Sequence, residues 1–327
     1  MSKPKVFSTH PLFEAPRKML DEHFEVDYWS RPERPPRAEL LRRVADKEAL
    51  VCLLTEKIND ELLAAAPKLR IVANVAVGFD NIDVPACTRR RVVASNTPGV
   101  LDETTADFAW TLLMAIARRV LEGDQLVRSG QWTGWNLDQL CGGDVWGKTL
   151  GLLGFGRIGR AVARRTRGFQ MRVIYNDAIR APAEVEKELN VEFLERDQVL
   201  AEADFISVHV PLLSETRHLI SAPQLARMKR TAYLINTSRG PVVDEAALLA
   251  ALEAGQIAGA ALDVHEKEPQ VHPGLMKRAD VILTPHIASA SVETRTRMAT
   301  IAAENVIAVF AGRRPPTALN PEVLGTK

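Results

Sequence analysis

The stretch from Gly147 to Gly159, GKTLGLLGFGRIG, constrains this chain more than any other. Its apolar part, read as a strand over Thr149–Gly154, runs into Gly154, Gly156 and Gly159, which form GxGxxG, and Arg160–Arg167 continues with helical periodicity. Alone, such a triplet is an ordinary glycine turn. Between a strand and a helix it does three things: it makes the tight turn, lets the backbone approach a pyrophosphate, and aims a helix N-terminus at it. The expected second strand, Met171–Asn176, is followed by Asp177, 18 residues after Gly159. That is close to the ~20 residues at which an acid accepts hydrogen bonds from the adenine-ribose hydroxyls. A carboxylate there favours NAD(H) and repels a 2′-phosphate. The plainer role for Asp177 is a cap on the next turn. Arg180 could accommodate a 2′-phosphate, so NADP(H) stays open.

Around this turn the chain alternates short apolar runs with helical segments. The first series of expected strands is Lys5–Ser8, Val26–Trp29, Ala49–Leu54, Arg70–Val75 and Val92–Ser95, with helices such as Arg37–Ala45 and Asn59–Ala65 between them. The second adds Val191–Leu194, Phe205–Val210, Ala232–Thr237, Ala260–Val264 and Val281–Thr284 to the two strands above. Such alternation makes βαβ units and parallel sheets, and near-continuous apolar runs suit strands covered on both faces. Two long helical patterns bridge the series: Asp102–Val120, with Asp102 as its cap, and Ser291–Phe310, closed by Gly312 and Pro315–Pro316. The expected fold is α/β, with two Rossmann-like doubly wound parallel-sheet domains separated by a cleft. The smaller domain is discontinuous, residues 1–99 plus 290–327; the dinucleotide-binding domain is 100–289.

Composition narrows the function classes. A length of 327 residues suits about two domains. With 42 Lys and Arg against 41 Asp and Glu, the net charge of +1 speaks against nucleic-acid or membrane-surface partners. The longest apolar run, Phe108–Ala117, is about half a membrane span. Met1–Lys5 leads straight into a strand-like segment, so no secretory leader is expected. Three cysteines, Cys52, Cys87 and Cys141, are widely spaced and lack CxxC pairing. They suit a reducing cytoplasm and no metal site.

A carbonyl-reducing site needs a proton donor, a cation for a carboxylate and an acid that keeps the donor protonated. Histidine suits the first role because it titrates near neutrality. Ligands in open parallel sheets bind at the carboxyl ends of strands, and three such ends carry Arg239, Glu268 and His286. Singly, each has a bland reading: surface charge, loop solvation, a satisfied structural histidine. Together, after a dinucleotide turn, they point to one crevice. His209 reads as a packing residue inside a strand, and His218, His265 and His272 as loop or helix-start residues.

These residues carry a family likeness. The chain resembles the D-isomer-specific 2-hydroxyacid dehydrogenases over essentially its full length, and within them the glyoxylate/hydroxypyruvate reductase branch. The matching stretches are Leu54–Ile58 (LTEKI), Asn74–Asp83 (NVAVGFDNID), Asn96–Leu101 (NTPGVL) and Gly147–Gly159. Ile235–Asp244 (INTSRGPVVD), Ala261–Val264 (ALDV) with Glu268–Pro269, and Thr284–Ile287 (TPHI) complete the set.

The resemblance implies the following roles. His286 is the acid/base, Glu268 the acid paired with it, and Arg239 the arginine that binds the substrate carboxylate. The amides around Val77 and Gly78 hold that carboxylate from the small domain. Phe155, Gly156, Arg157 and Ile158 form the pyrophosphate loop, and Asp177 is the ribose acid. Thr237, Asp263 and Ala288 lie by the nicotinamide, and Pro211 begins a loop flanking the adenine. Trp135 resembles an aromatic that reaches into a partner subunit's active site, and dimer packing is its plainer reading; both imply a homodimer. The implied activity is reduction of a small 2-oxoacid, glyoxylate or hydroxypyruvate, by NAD(P)H in the cytoplasm. The alternatives are a dehydrogenase of another D-2-hydroxyacid (2-ketogluconate, phosphoglycerate) or an NAD-sensing corepressor-like binding protein. Departures exist. Asp177 stands where phosphate-preferring reductases often carry Arg, His265 where an aromatic is usual, and Ala288 where many members have glycine. Residues 176–190 look more like NAD-linked formate dehydrogenases, which pair their histidine with glutamine.

Overall fold

A computed structural model describes residues 3–324. The chain forms two compact units, Met1–Leu101 with Ala290–Lys327, and Asp102–Ser289. Residues 1–2 and 325–327, the outer ends of the expected small domain, lie outside the described residues.

Along the first unit run β1 (Lys5–Ser8), α1 (Glu14–His23), β2 (Glu25–Tyr28), α2 (Arg37–Val44), β3 (Ala49–Cys52), α3 (Asp60–Ala65), β4 (Ile71–Asn74), α4 (Val84–Arg89) and β5 (Val93–Ser95). The second unit holds α5 (Asp102–Ala117), α6 (Val120–Arg128), β6 (Thr149–Leu153), α7 (Arg157–Arg165), β7 (Arg172–Asn176), α8 (Ala183–Leu189) and β8 (Val191–Phe193). It continues with α9 (Arg196–Glu202), β9 (Phe205–Val208), α10 (Ala222–Leu225), β10 (Tyr233–Asn236), α11 (Glu245–Glu253), β11 (Gly259–Leu262) and β12 (Val281–Leu283). The chain then returns to the first unit as α12 (Val292–Phe310). Every apolar run read as a strand is a strand, displaced or shortened by a residue or two at its ends.

The first unit is a five-stranded parallel sheet ordered β2-β1-β3-β4-β5. Period-two alternation divides its strands between two cores. Phe7, Leu50, Cys52 and Val72 pack under α3 and α4 with Leu62, Leu63, Ala86 and Cys87. Val6, Val51, Ile71 and Ala73 pack under α12 with Ala302, Ala303, Val306 and Val309. Helix α12 begins at Ser291, whose side chain accepts from Thr294 N–H, and ends before Gly312, at φ +67°.

The second unit is a seven-stranded parallel sheet ordered β12-β11-β10-β9-β6-β7-β8. One face packs Leu150, Leu152, Val173 and Tyr175 against α5 and α7. The other packs Leu153, Ile174, Ile206 and Leu234 against α9, α10 and α11. Strand order reverses between β6 and β9, the switch point at which such sheets bind ligands.

Three expectations need correction. Asp102, expected as the cap of its helix, is the first residue of α5 and pairs with Arg157. The helix expected over Asp102–Val120 ends at Ala117. The Ala117 carbonyl accepts instead from Gly143 N–H at 2.9 Å, and Arg119 turns left-handed at φ +53° before α6 starts. His209 lies one residue beyond β9, not within a strand. Burial pushes its ring down to about 4, so it is neutral at neutral pH, and Nε2 pairs with Ser207 Oγ at 2.9 Å. No helix of the described residues is long and apolar enough to cross a membrane.

Candidate active site

The glycine turn sits at the switch point. Gly154 has φ +95°, and a Cβ there would lie 2.7 Å from the His209 backbone, so only glycine lets β6 and β9 end side by side. A Cβ at Gly159 would collide with the Gly154 carbonyl, so that position also needs glycine for α7 to start against the turn. Gly156 is different: a Cβ there meets nothing within 4 Å, which leaves open space before the α7 N-terminus. The Phe155 ring is buried and stacks on Tyr175 at 4.0 Å, and Ile158 packs against the same core. Phe155 N–H donates to Asp177 Oδ2 at 2.6 Å, and Ile179 N–H donates to Oδ1 at 3.2 Å. Asp177 thus caps its own turn and is also fixed beside the glycine loop. Open amides at a helix start beside an anchored carboxylate fit a dinucleotide. Arg157, at the mouth of the turn, pairs with Asp102 at 3.0 Å. Arg180, the residue that left NADP(H) open, gives both ends of its guanidinium to Glu186 at 2.9 Å. Pro211 follows β9, its carbonyl accepting from Thr216 Oγ1 at 2.6 Å.

The three chemistry-bearing residues follow β10, β11 and β12, which are neighbours in the sheet. His286 Nδ1 meets Glu268 Oε2 at 3.0 Å. Burial pushes the Glu268 carboxyl up. The hydrogen bond and charge of His286, with the His265 amide, outweigh it and hold the group below its ordinary value. His286 itself sits at φ +56°, a strained backbone held from both sides. Its N–H donates to the Asp263 carbonyl at 2.8 Å, and the next two amides, Ile287 and Ala288, donate to the Asp263 carboxylate, each at 2.8 Å. Asp263 also accepts from Thr284 Oγ1 at 2.6 Å and is 0% exposed. Asp263, expected as a cofactor contact, braces the His286 loop with its carboxylate. Arg239 is extended, with Nη1 on the Ser238 carbonyl at 2.8 Å. Thr237 Oγ1 is buried with no hydrogen-bond partner.

In the first unit, three consecutive carbonyls of the loop after β4 are held. Ala76 O accepts from Thr97 N–H at 2.9 Å, Val77 O from Asn96 Nδ2 at 2.7 Å, and Gly78 O from Asn74 Nδ2 at 3.0 Å. In a trans peptide the N–H points opposite the carbonyl. The amides of Val77, Gly78 and Phe79 are therefore turned away from those asparagines as a row of donors suited to an anion. Trp135 is 79% exposed on the second unit, in a segment with exposed Trp132, Leu137 and Trp146.

Several working residues were missed from the sequence. Asn74, Asn176 and Asn236 each end a strand; Asn74 and Asn236 brace the loop that follows, Asn236 donating to the Arg239 carbonyl and accepting from Ser238 N–H, both at 3.0 Å, while Asn176 donates across to the Leu194 carbonyl at 2.8 Å. An apolar run terminated by asparagine was the available signal. Among the described residues no cluster of His, Cys, Asp or Glu could hold a metal ion.

A parallel sheet with a dinucleotide turn at its switch point, and a His–Glu pair beyond the ends of β11 and β12, three and four strands from β6, defines a nicotinamide-dependent oxidoreductase. Residues 110–288 match the model of the D-isomer specific 2-hydroxyacid dehydrogenase NAD binding domain, and the chain belongs to that family. It is 54% identical over 325 residues to the glyoxylate reductase of Korarchaeum cryptofilum, covering 98% of this chain and 97% of that one. The glyoxylate reductase of Thermococcus kodakarensis is 50% identical, covering 98% of each. Among solved structures, the NADPH-dependent glyoxylate/hydroxypyruvate reductase of Sinorhizobium meliloti, in complex with NADP and malonate, is 34% identical with a TM-score of 0.86, covering 98% of each chain.

Proposed function

We propose that this protein reduces a small 2-oxoacid, glyoxylate or hydroxypyruvate, to the 2-hydroxyacid with NADH. The single observation that carries this reading is the His286 Nδ1–Glu268 Oε2 pair at 3.0 Å, beyond the ends of β11 and β12 in the sheet whose β6 leads into the glycine turn. The bound dinucleotide supplies the hydride. Because Nδ1 is taken by Glu268, the proton leaves from His286 Nε2 toward the substrate carbonyl oxygen, and the Glu268 carboxylate stabilises the imidazolium until then. The Arg239 guanidinium binds the substrate carboxylate and polarises the adjacent carbonyl. The amides at Val77 and Gly78 are the second carboxylate-binding group, which makes the first unit the substrate-binding domain. Asp177 receives the ribose hydroxyls, and the pairing of Arg180 with Glu186 supports NAD(H) over NADP(H). Phe155 to Ile158 bind the pyrophosphate, Thr237, Asp263 and Ala288 lie by the nicotinamide, and Pro211 flanks the adenine.

We further propose a homodimer joined through the apolar segment that carries Trp135. A cytoplasmic location accords with three free cysteines. The test is a panel of 2-oxoacids assayed by nicotinamide absorbance with NADH and NADPH in parallel, beside His286→Gln. Glyoxylate or hydroxypyruvate should be the best substrate. The substitution should lower kcat by about 10²–10⁴-fold with NADH binding retained. Undiminished turnover in that variant would remove His286 from the mechanism.

A further inference from the structure

His265 stands where all three chemistry-bearing loops meet. Its backbone N–H donates to Glu268 Oε1 at 3.1 Å, on the oxygen that His286 does not use. Its ring Nε2 lies 3.0 Å from the Thr284 carbonyl, two residues before His286. A carbonyl only accepts, so Nε2 carries the proton and donates across from the β11 loop to the β12 loop. The third tie is steric: a Cβ at Gly240 would collide with the His265 carbonyl, so the residue after Arg239 lies flat on the His265 backbone.

The ring is also enclosed. His265 is 6% exposed, and its Nδ1 is buried without a hydrogen bond, 3.8 Å from Glu245 Oε1. Glu245, at the start of α11 and 5% exposed, is fixed in turn by Glu266 N–H at 2.9 Å. An aromatic hydrocarbon at position 265 could fill the space but could not donate to Thr284. We propose that His265 is a positioning residue for the reaction: its imidazole ties the Glu268 loop to the His286 loop and so sets the geometry of the acid/base pair.

This inference rests on the proton-transfer role proposed for His286, and the experiment separates the two. The titratable groups that act on the ring are Glu245 from α11, 3.8 Å from Nδ1, and Glu268 from its own loop, whose carboxylate feels the His265 charge. His265→Phe should lower kcat roughly tenfold and leave the KM for NADH unchanged. Loosening the Glu268–His286 contact weakens the anion's support for the imidazolium, so the alkaline limb of the kcat–pH profile should move to lower pH. His265→Gln places an amide N–H where Nε2 stood and should recover most of the kcat and the original limb. His265→Asn is too short to reach Thr284 and should behave as His265→Phe does. Should His265→Phe fail to fold, judged by its Tm, the Gln and Asn variants carry the comparison. Equal kcat and equal profiles in those two, or a wild-type profile in a folded Phe variant, would overturn the proposal. His286→Gln is the control: if it too retains turnover, the acid/base reading itself has failed, whereas its inactivity beside an unaffected His265→Phe removes His265 alone.

Discussion

The Glu268 carboxylate is poised by competition between burial, which favours its neutral form, and His286, which favours its charge. Because the charge wins, its titration lies below the ordinary carboxylate range. A group lowered in this way contributes stability above its ordinary value and loses it as pH falls through the lowered one. The pair should therefore survive mildly acidic conditions, and kcat should not fall on the acid side until below that range. Glu268→Gln keeps the shape and removes the charge. It should cost on the order of 10²-fold in kcat and move the alkaline limb to lower pH; an unmoved limb would mean that the carboxylate only packs. At the other end of the site, Asp177 is held to Phe155 N–H at 2.6 Å. Asp177→Ala should raise the KM for NADH about tenfold, the scale of a lost hydrogen bond to a charged group, while that for NADPH falls. A parent enzyme that already prefers NADPH would defeat the ribose argument.

Elements were more legible than the residues that tune them. Apolar runs located all twelve strands of the described residues because parallel strands buried on both faces have little freedom in composition. The glycine turn was legible because Gly154 and Gly159 answer to backbone collisions that forbid a side chain. The break after Ala117 was not, since it depends on a carbonyl captured by Gly143, a residue far along the chain with no local signature. For the same reason the bracing role of Asp263 was not legible: sequence places it at a strand end but does not show that three donors from the next strand's loop converge on it. His265 is the loop residue it read as, but what its ring meets, Glu245 and Thr284, lies on other elements and was not legible. The stop at Gly312, being local, was clearer: it follows α12 at φ +67°. At the other end Ser291 caps α12, and Ser291→Ala should cost about 1 kcal/mol, seen as a lower denaturation midpoint with an unchanged slope. A loss much below that would show the long helix to be held by packing alone.

At the scale of the molecule, the second unit is one continuous stretch, Asp102–Ser289, while the first is closed by a helix from the far end of the chain. Helix α12 lays Ala302, Ala303, Val306 and Val309 on the sheet beside Val6, Ile71 and Ala73. A fragment of residues 102–289 should thus fold and bind NADH without turning over a 2-oxoacid. A fragment of residues 1–289 should show the opposite disorder, its first 101 residues cleaved readily by protease while the remainder resists. Uniform resistance would mean that the sheet manages without its late helix. The consequence reaches the ribosome. Strands β1 to β5 emerge before α12 and must wait for it with one apolar face covered only in part, by α1, so the unit begun first is completed last and is the one most in need of a chaperone.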